Sequence, residues 1–139
     1  MTDNKVESVR NIALVGPAGA GKTSLAESLM AKTGAIKAAG AIDRGTTVCD
    51  FDPKERELMH SLETAICHFE HKGIRVHLVD TPGYPDFIGR SISVLPAVET
   101  AALVLSAQAG IETGIRRLME AAKASRLCRM IVINKIDME

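Results

Sequence analysis

The sequence predicts an α/β fold, a mostly parallel sheet with helices on both faces. Three observations predict it. Short apolar runs alternate with helix-periodic stretches along the 139 residues. Two of those runs, "AALVLSA" and "MIVINK", are almost continuously apolar, as buried parallel strands are. Corners rich in glycine, proline or aspartate follow the runs directly, at the carboxyl ends of strands where open α/β sheets bind ligands.

The elements follow in order. Residues 1–10, "MTDNKVESVR", read as a polar tail without a signal-peptide pattern. "NIALV" is a first strand ending at Gly16, and "KTSLAESLMAKTG" is a helix, with Leu25 and Leu29 at helical spacing and Gly34 as its stop. Residues 35 to about 62 are rich in small and charged side chains, with "DPKEREL" near the end. They predict a long, mobile loop with a helical turn, of the kind that is functional or disordered. "ETAICHFEH" and "IRVHLVD" form a hairpin turning at Lys72-Gly73. Beyond Asp80, Ile88, Ile92 and Leu95 share a helical face that Pro96 closes. "AALVLSA" is the next strand, and Ile111, Ile115, Leu118, Met119 and Ala122 stripe a helix running to Leu127. Arg116, Arg117, Lys123 and Arg126 on that helix read as a solvated face, with an RNA-facing stripe as the alternative. "MIVINK" closes the sheet as a buried strand.

Length and composition favour one compact domain: 46% of residues are hydrophobic and 24% charged. With 17 basic and 17 acidic residues the formal net charge is zero, so no global cationic field recruits DNA or an anionic membrane. No apolar run reaches transmembrane length. Cys49, Cys67 and Cys128 are scattered, without a CxxC, and read as reduced thiols of a cytoplasmic protein. His68 and His71 fall on opposite faces of one strand and make a poor metal pair.

Three motifs carry chemistry. "GPAGAGKT" (Gly16, Pro17, Ala18, Gly19, Ala20, Gly21, Lys22, Thr23), with Ser24 after it, matches GxxxxGK[ST] between a strand and a helix. Glycines let the backbone amides point inward at phosphate oxygens, and the helix N-terminus adds its dipole. Lys22 would reach the β- and γ-phosphates and the Thr23 hydroxyl would bind Mg²⁺. "DTPG" (Asp80, Thr81, Pro82, Gly83) supplies a carboxylate for Mg²⁺ and a Gly83 amide that can approach a γ-phosphate closely. "NKID" (Asn134, Lys135, Ile136, Asp137) ends a strand with a carboxylate able to accept two hydrogen bonds from guanine, and adenine offers no such pair. Each motif alone has a plain reading as a turn. Together and in this order they specify GTP or GDP with Mg²⁺.

These residues resemble the N-terminal G domain of translational GTPases of the elongation factor G type, in particular the paralogues with a "DTPGY" corner. "GPAGAGKT", "GTTVCDFDP", "LVDTPGYPDF" and "INKID" carry the likeness, which covers nearly all of the chain beyond residue 10. It implies a P-loop GTPase fold cut short at its C-terminal end, since the family's G domain continues with a further base loop, a strand and a helix, and four more domains follow. It implies GTP hydrolysis coupled to the ribosome, in translocation or in ribosome disassembly. On this view the isolated chain is a monomer with a bare strand edge, weakened guanine affinity and weak or no hydrolysis. Three alternatives stand beside this reading: a ribosome-protection GTPase, a GTP-gated docking module with little hydrolysis, and an ATP-using P-loop enzyme. Asp137 argues against the last.

The family's switch loop gives a hydroxyl from an R-G-I-T motif to Mg²⁺. "RGTT" (Arg44 to Thr47) is the tempting match. Two strands and a turn need about 17–20 residues. Ser61 stands 19 residues before Asp80, whereas Thr46 stands 34 before it. Ser61 in "LMHSLET" is therefore the expected metal ligand alongside Thr23 and Asp80, with a solvated loop serine as the alternative. Elongation factor G has histidine after DTPG, whereas Tyr84 stands here. A phenol with a pKa near ~10 stays neutral but can bond a water. Gly19 likewise replaces a family aspartate. The expected catalytic set is Tyr84, Lys22 and Gly83, and the alternative for Tyr84 is packing against the following helix.

Overall fold

The computed structural model describes residues 6–50, 53–58 and 61–137. Its sheet has five strands: β1 (Val9–Val15), β2 (Ala65–His71), β3 (Ile74–Asp80), β4 (Thr100–Ser106) and β5 (Cys128–Asn134), in the spatial order β2-β3-β1-β4-β5. Helices α1 (Lys22–Lys32), α2 (Pro53–Leu58), α3 (Ile88–Ser93) and α4 (Thr113–Ala124) connect them.

β2 and β3 form an antiparallel hairpin with Ala65 opposite Asp80. Its turn needs two left-handed residues, supplied by Lys72 (φ 49°) and Gly73 (φ 76°). β1 lies parallel to β3 and β4, and β4 parallel to β5. Leu14 is level with Asp80, and Ser106 with Asn134. The carboxyl ends of these parallel strands therefore meet along one rim, where the three motifs lie.

Alternation along β1 and β4 splits the core in two. Leu14, Ala102 and Val104 pack with Ala26 and Met30 of α1 on one face. Ala13, Val15, Ala101 and Leu103 pack with Ile88 and Ile92 of α3 and Ile115, Leu118 and Ala122 of α4 on the other. Helices on both faces make this a doubly covered, mostly parallel sheet.

Several boundaries differ from the sequence-based expectation. β1 begins at Val9 rather than residue 11, because Val9 and Arg10 pair with Arg75 and Val76. α3 stops at Ser93, and Pro96 sits inside a 3₁₀ turn, Leu95–Ala97, instead of closing the helix. A proline lacks the N–H that a continuing α-helix uses but suits the first turn of a new one. α4 starts at Thr113, after Gly110 (φ 67°), so Ile111 lies outside it and is exposed. β5 is not buried: Met130, Ile131 and Ile133 are about half exposed or more, because β5 is the outermost strand of the described sheet. The span 35–62 carries a 3₁₀ turn, Ile42–Arg44, as well as α2. The expected tail lies outside the described residues up to position 5, as do Phe51, Asp52, Met59 and His60. Among the described residues no helix is long and apolar enough to cross a membrane.

Candidate active site

The loop between β1 and α1 is shaped by what glycine lacks. A Cβ on Gly16 would lie 2.3 Å from the Val104 carbonyl oxygen, and one on Gly21 (φ 92°) 2.4 Å from Asn134 Nδ2. Gly19 faces open space. The loop wraps around its own lysine: Lys22 Nζ donates to the carbonyls of Gly16 (2.9 Å) and Pro17 (2.8 Å). Burial lowers the Lys22 pKa to about 8, and the nearby Asp80 charge opposes part of that shift.

At the foot of this loop four side chains meet. Thr23 Oγ1 donates to Asp80 Oδ2 at 2.6 Å and lies 3.4 Å from Ser61 Oγ. The Ser61 hydroxyl in turn donates to Asp50 Oδ1 at 2.8 Å, and Thr47 donates to Asp50 Oδ2 at 2.8 Å. Thr23, Ser61 and Asp80 thus come together from α1, the segment before β2 and the end of β3. Asp50 joins them without any spacing rule having pointed to it; a lone aspartate in a loop gives no such signal. Thr47, from the "RGTT" segment, reaches the cluster only through Asp50.

The cluster suits a hard cation. Asp80 is 1% exposed, and its Oδ1 has no hydrogen-bond partner among the described residues. Burial raises its pKa to about 6; the Thr23 bond and Lys22 oppose this, while the Asp50 charge adds to it. No cage of three acids or imidazoles stands among the described residues. Mg²⁺ is ordinarily held by one or two carboxylates together with substrate phosphates, and the orphaned oxygen beside two hydroxyls fits that.

The DTPG corner is tied down from both sides. Thr81 Oγ1 donates to the Leu14 carbonyl (2.8 Å), and Ser91 of α3 donates to the Pro82 carbonyl (2.9 Å). Gly83 presses against the phosphate loop, so a Cβ there would lie 2.5 Å from both Ala18 N and Lys22 Nζ. Tyr84 is 41% exposed at the cleft wall. At the other end, Asn134 Nδ2 donates to the Ala20 carbonyl at 3.0 Å, which links the β5 corner to the phosphate loop. Lys135 takes a left-handed backbone (φ 56°), and Ile136 and Asp137 are exposed. A cleft of about 320 Å³ is shared by Lys22, Thr23, Ser24, Asp50, Ser61 and Lys135, so the loop after β1 and the corner after β5 open into one space.

Residues 7–139 match the elongation factor Tu GTP binding domain family. The chain belongs to that family. As a Tu-type G domain it has the P-loop GTPase fold of enzymes that hydrolyse GTP. It is 39% identical over 136 residues to the elongation factor G-like protein of Mycobacterium tuberculosis, covering 98% of this chain and 19% of that protein. It is 36% identical over 129 residues to the tetracycline resistance protein TetO of Campylobacter coli, 93% of this chain and 20% of that one. A crystal structure from Thermus thermophilus superposes with a TM-score of 0.91 at 39% identity, covering 95% of this G domain and 20% of that chain. The bacterial selenocysteine-specific elongation factor shares the fold, with a TM-score of 0.75 at 21% identity over 94% of this chain and 20% of its own. The G domain described here spans about a fifth of the length of the curated relatives it matches.

Proposed function

We propose that this chain is the GTP-hydrolysing switch domain of an elongation factor G-like protein that acts on the ribosome in the cytoplasm, in translocation or ribosome disassembly. The observation carrying the reading is the meeting of Thr23, Ser61, Asp50 and Asp80 beside Lys22, in a cleft that also holds Lys135. The proposed partner is the ribosome; neither DNA nor a membrane is, and the chain is taken as a monomer.

In the proposed chemistry Lys22 neutralises phosphate charge, and the α1 N-terminus directs amides at the same oxygens. Thr23, Ser61 and Asp80, backed by Asp50, would hold Mg²⁺. When bound, the cation supplies positive charge against the β- and γ-phosphate oxygens. The Gly83 amide faces the transferred group, and Tyr84 at the cleft wall orients a water by its hydroxyl. Asn134 and Lys135 place the base loop so that the Asp137 carboxylate accepts from guanine. Binding of fluorescent GDP against ADP tests the base choice: guanine is expected to win by roughly 10⁴, and equal affinity would rule the reading out. Release of phosphate from GTP with and without ribosomes tests the partner.

Two further readings rest on particular observations. Identity of 36% to a tetracycline resistance protein favours a ribosome-protection GTPase. Tyr84 in place of histidine, with the open Gly19, favours a GTP-gated docking module with little turnover. Turnover of GTP on ribosomes by the parent separates the docking module from the leading reading, and single-turnover hydrolysis by Tyr84→Phe tests the phenol. Loss of a water-orienting hydroxyl should slow the step by about tenfold, and the parental rate would leave the phenol oxygen without a role.

A further inference from the structure

The peptide joining Pro82 to Gly83 is held at its carbonyl. Pro82 is buried, and its carbonyl accepts from Ser91 Oγ at 2.9 Å. Ser91 is 1% exposed within α3. A serine inside a helix commonly turns its hydroxyl back to the carbonyl four residues earlier. Here the bond runs nine residues back, to the corner that leaves β3. α3 is itself fixed to the sheet, since Ile88 and Ile92 pack with Ala13, Val15 and Val79. Ser91 therefore reaches the corner from an anchored helix.

The geometry of a peptide turns that bond into a direction. No described peptide bond is cis, so the Pro82 carbonyl and the Gly83 N–H point to opposite sides of one plane. A carbonyl drawn toward α3 sends the N–H the other way. Gly83 lines the cleft beside Lys22 and Thr23, whereas Pro82 and Ser91 line a neighbouring cavity of about 630 Å³. Little else in the backbone fixes this orientation. Proline locks its own φ at about −65° but leaves ψ to vary, and glycine accepts a wide range of φ. Thr81, one residue earlier, is tied to the Leu14 carbonyl, so the adjustable plane is the one after Pro82. A buried carbonyl without a partner is costly, which favours the orientation that keeps Ser91.

We propose that Ser91 is a positioning residue that favours the peptide orientation in which the Gly83 N–H turns to the cleft, and that it thereby sets how well the site tells a nucleoside triphosphate from a diphosphate. On the nucleotide-site reading above, that N–H meets the γ-phosphate and no other part of the nucleotide. The Ser91 bond then contributes to binding only when this phosphate is present. With a diphosphate the plane turns without loss of affinity.

Titration of the full chain with fluorescent GDP and with a fluorescent, non-hydrolysable GTP analogue, both with Mg²⁺, gives the deciding ratio. Ser91→Ala removes the hydroxyl and keeps a strong helix former in α3. Affinity for the analogue should fall about tenfold, while GDP affinity stays within about twofold. Ser91→Cys is the second variant, in case the alanine protein does not fold. Its thiol is a weak donor of similar shape, so the same selective loss is expected at about threefold. Equal weakening of both nucleotides would show a merely structural serine and overturn the proposal, as would no change in either. A parent that binds no guanine nucleotide would remove the site reading and this role together. Normal parental binding with an unmoved ratio in the variants would remove the role of Ser91 alone.

Discussion

Gly83→Ala is expected to lower guanine nucleotide affinity by between about 10- and 100-fold, the effect of forcing a methyl group into a closed contact. The added Cβ would lie 2.5 Å from Ala18 N and 2.6 Å from the Pro17 carbonyl carbon. Both are backbone atoms of the phosphate loop, so one of the two corners must move. Lys22 Nζ, also 2.5 Å away, would swing out of its seat on the Gly16 and Pro17 carbonyls. Titration of fluorescent GDP measures the loss. Gly89→Ala is the control: nothing lies within 4 Å of a Cβ there, on α3. Its affinity should match the parent, and helix propensity should make it slightly more stable. A Gly83→Ala protein that binds normally would mean that the DTPG corner stands away from the phosphates.

Asp80→Asn is expected to weaken Mg²⁺-dependent GTP binding about a hundredfold, since a hard cation loses its buried anionic oxygen and Lys22 loses its neighbouring charge. The pH dependence separates this from simple damage. Asp80 has its folded pKa raised from 3.8 to about 6. Between those values the unfolded chain has released the proton and the metal-free folded chain keeps it. The contribution of this group to metal-free stability is therefore full below about pH 4 and is lost as pH rises through about 6. Mg²⁺ competes with the same proton, so its affinity should fall about tenfold per unit as pH drops below 6. In Asp80→Asn both slopes should vanish, as read by urea unfolding in chelator and by Mg²⁺ titration. Slopes that persist would assign the titration to another group.

Much of this was legible because local rules and the fold agree. Hydrophobic period two, a two-residue turn and a fixed strand length suffice to count back from Asp80 to Ser61, which the structure sets 3.4 Å from Thr23. The glycine spacing around Lys22 needs a strand before and a helix after, and both are there. Asp50 was not legible. It is a single acid whose surroundings are made by segments distant in sequence, and periodicity is silent about which polar groups a fold brings together. The exposure of β5 was expected only from the family resemblance, as a bare edge, and not from the strand's own residues. An apolar run says that a strand can be covered on both sides, and it does not say what covers it. Helix ends shifted where a proline or a left-handed glycine could serve either as a stop or as a new start.

The β2–β3 hairpin has a kinetic consequence. Its partners are joined by two residues, whereas each parallel pair of this sheet must first close a loop holding a whole crossover, and short closures are fast. Ser61 and Asp80 flank the two open ends of that ribbon, so their separation is set by an early, sequence-local event. Bringing Thr23 and Asp50 to that pair should then wait on the slower closures, the pairing of β1 with β3 that carries α1 and the docking of the loop before β2.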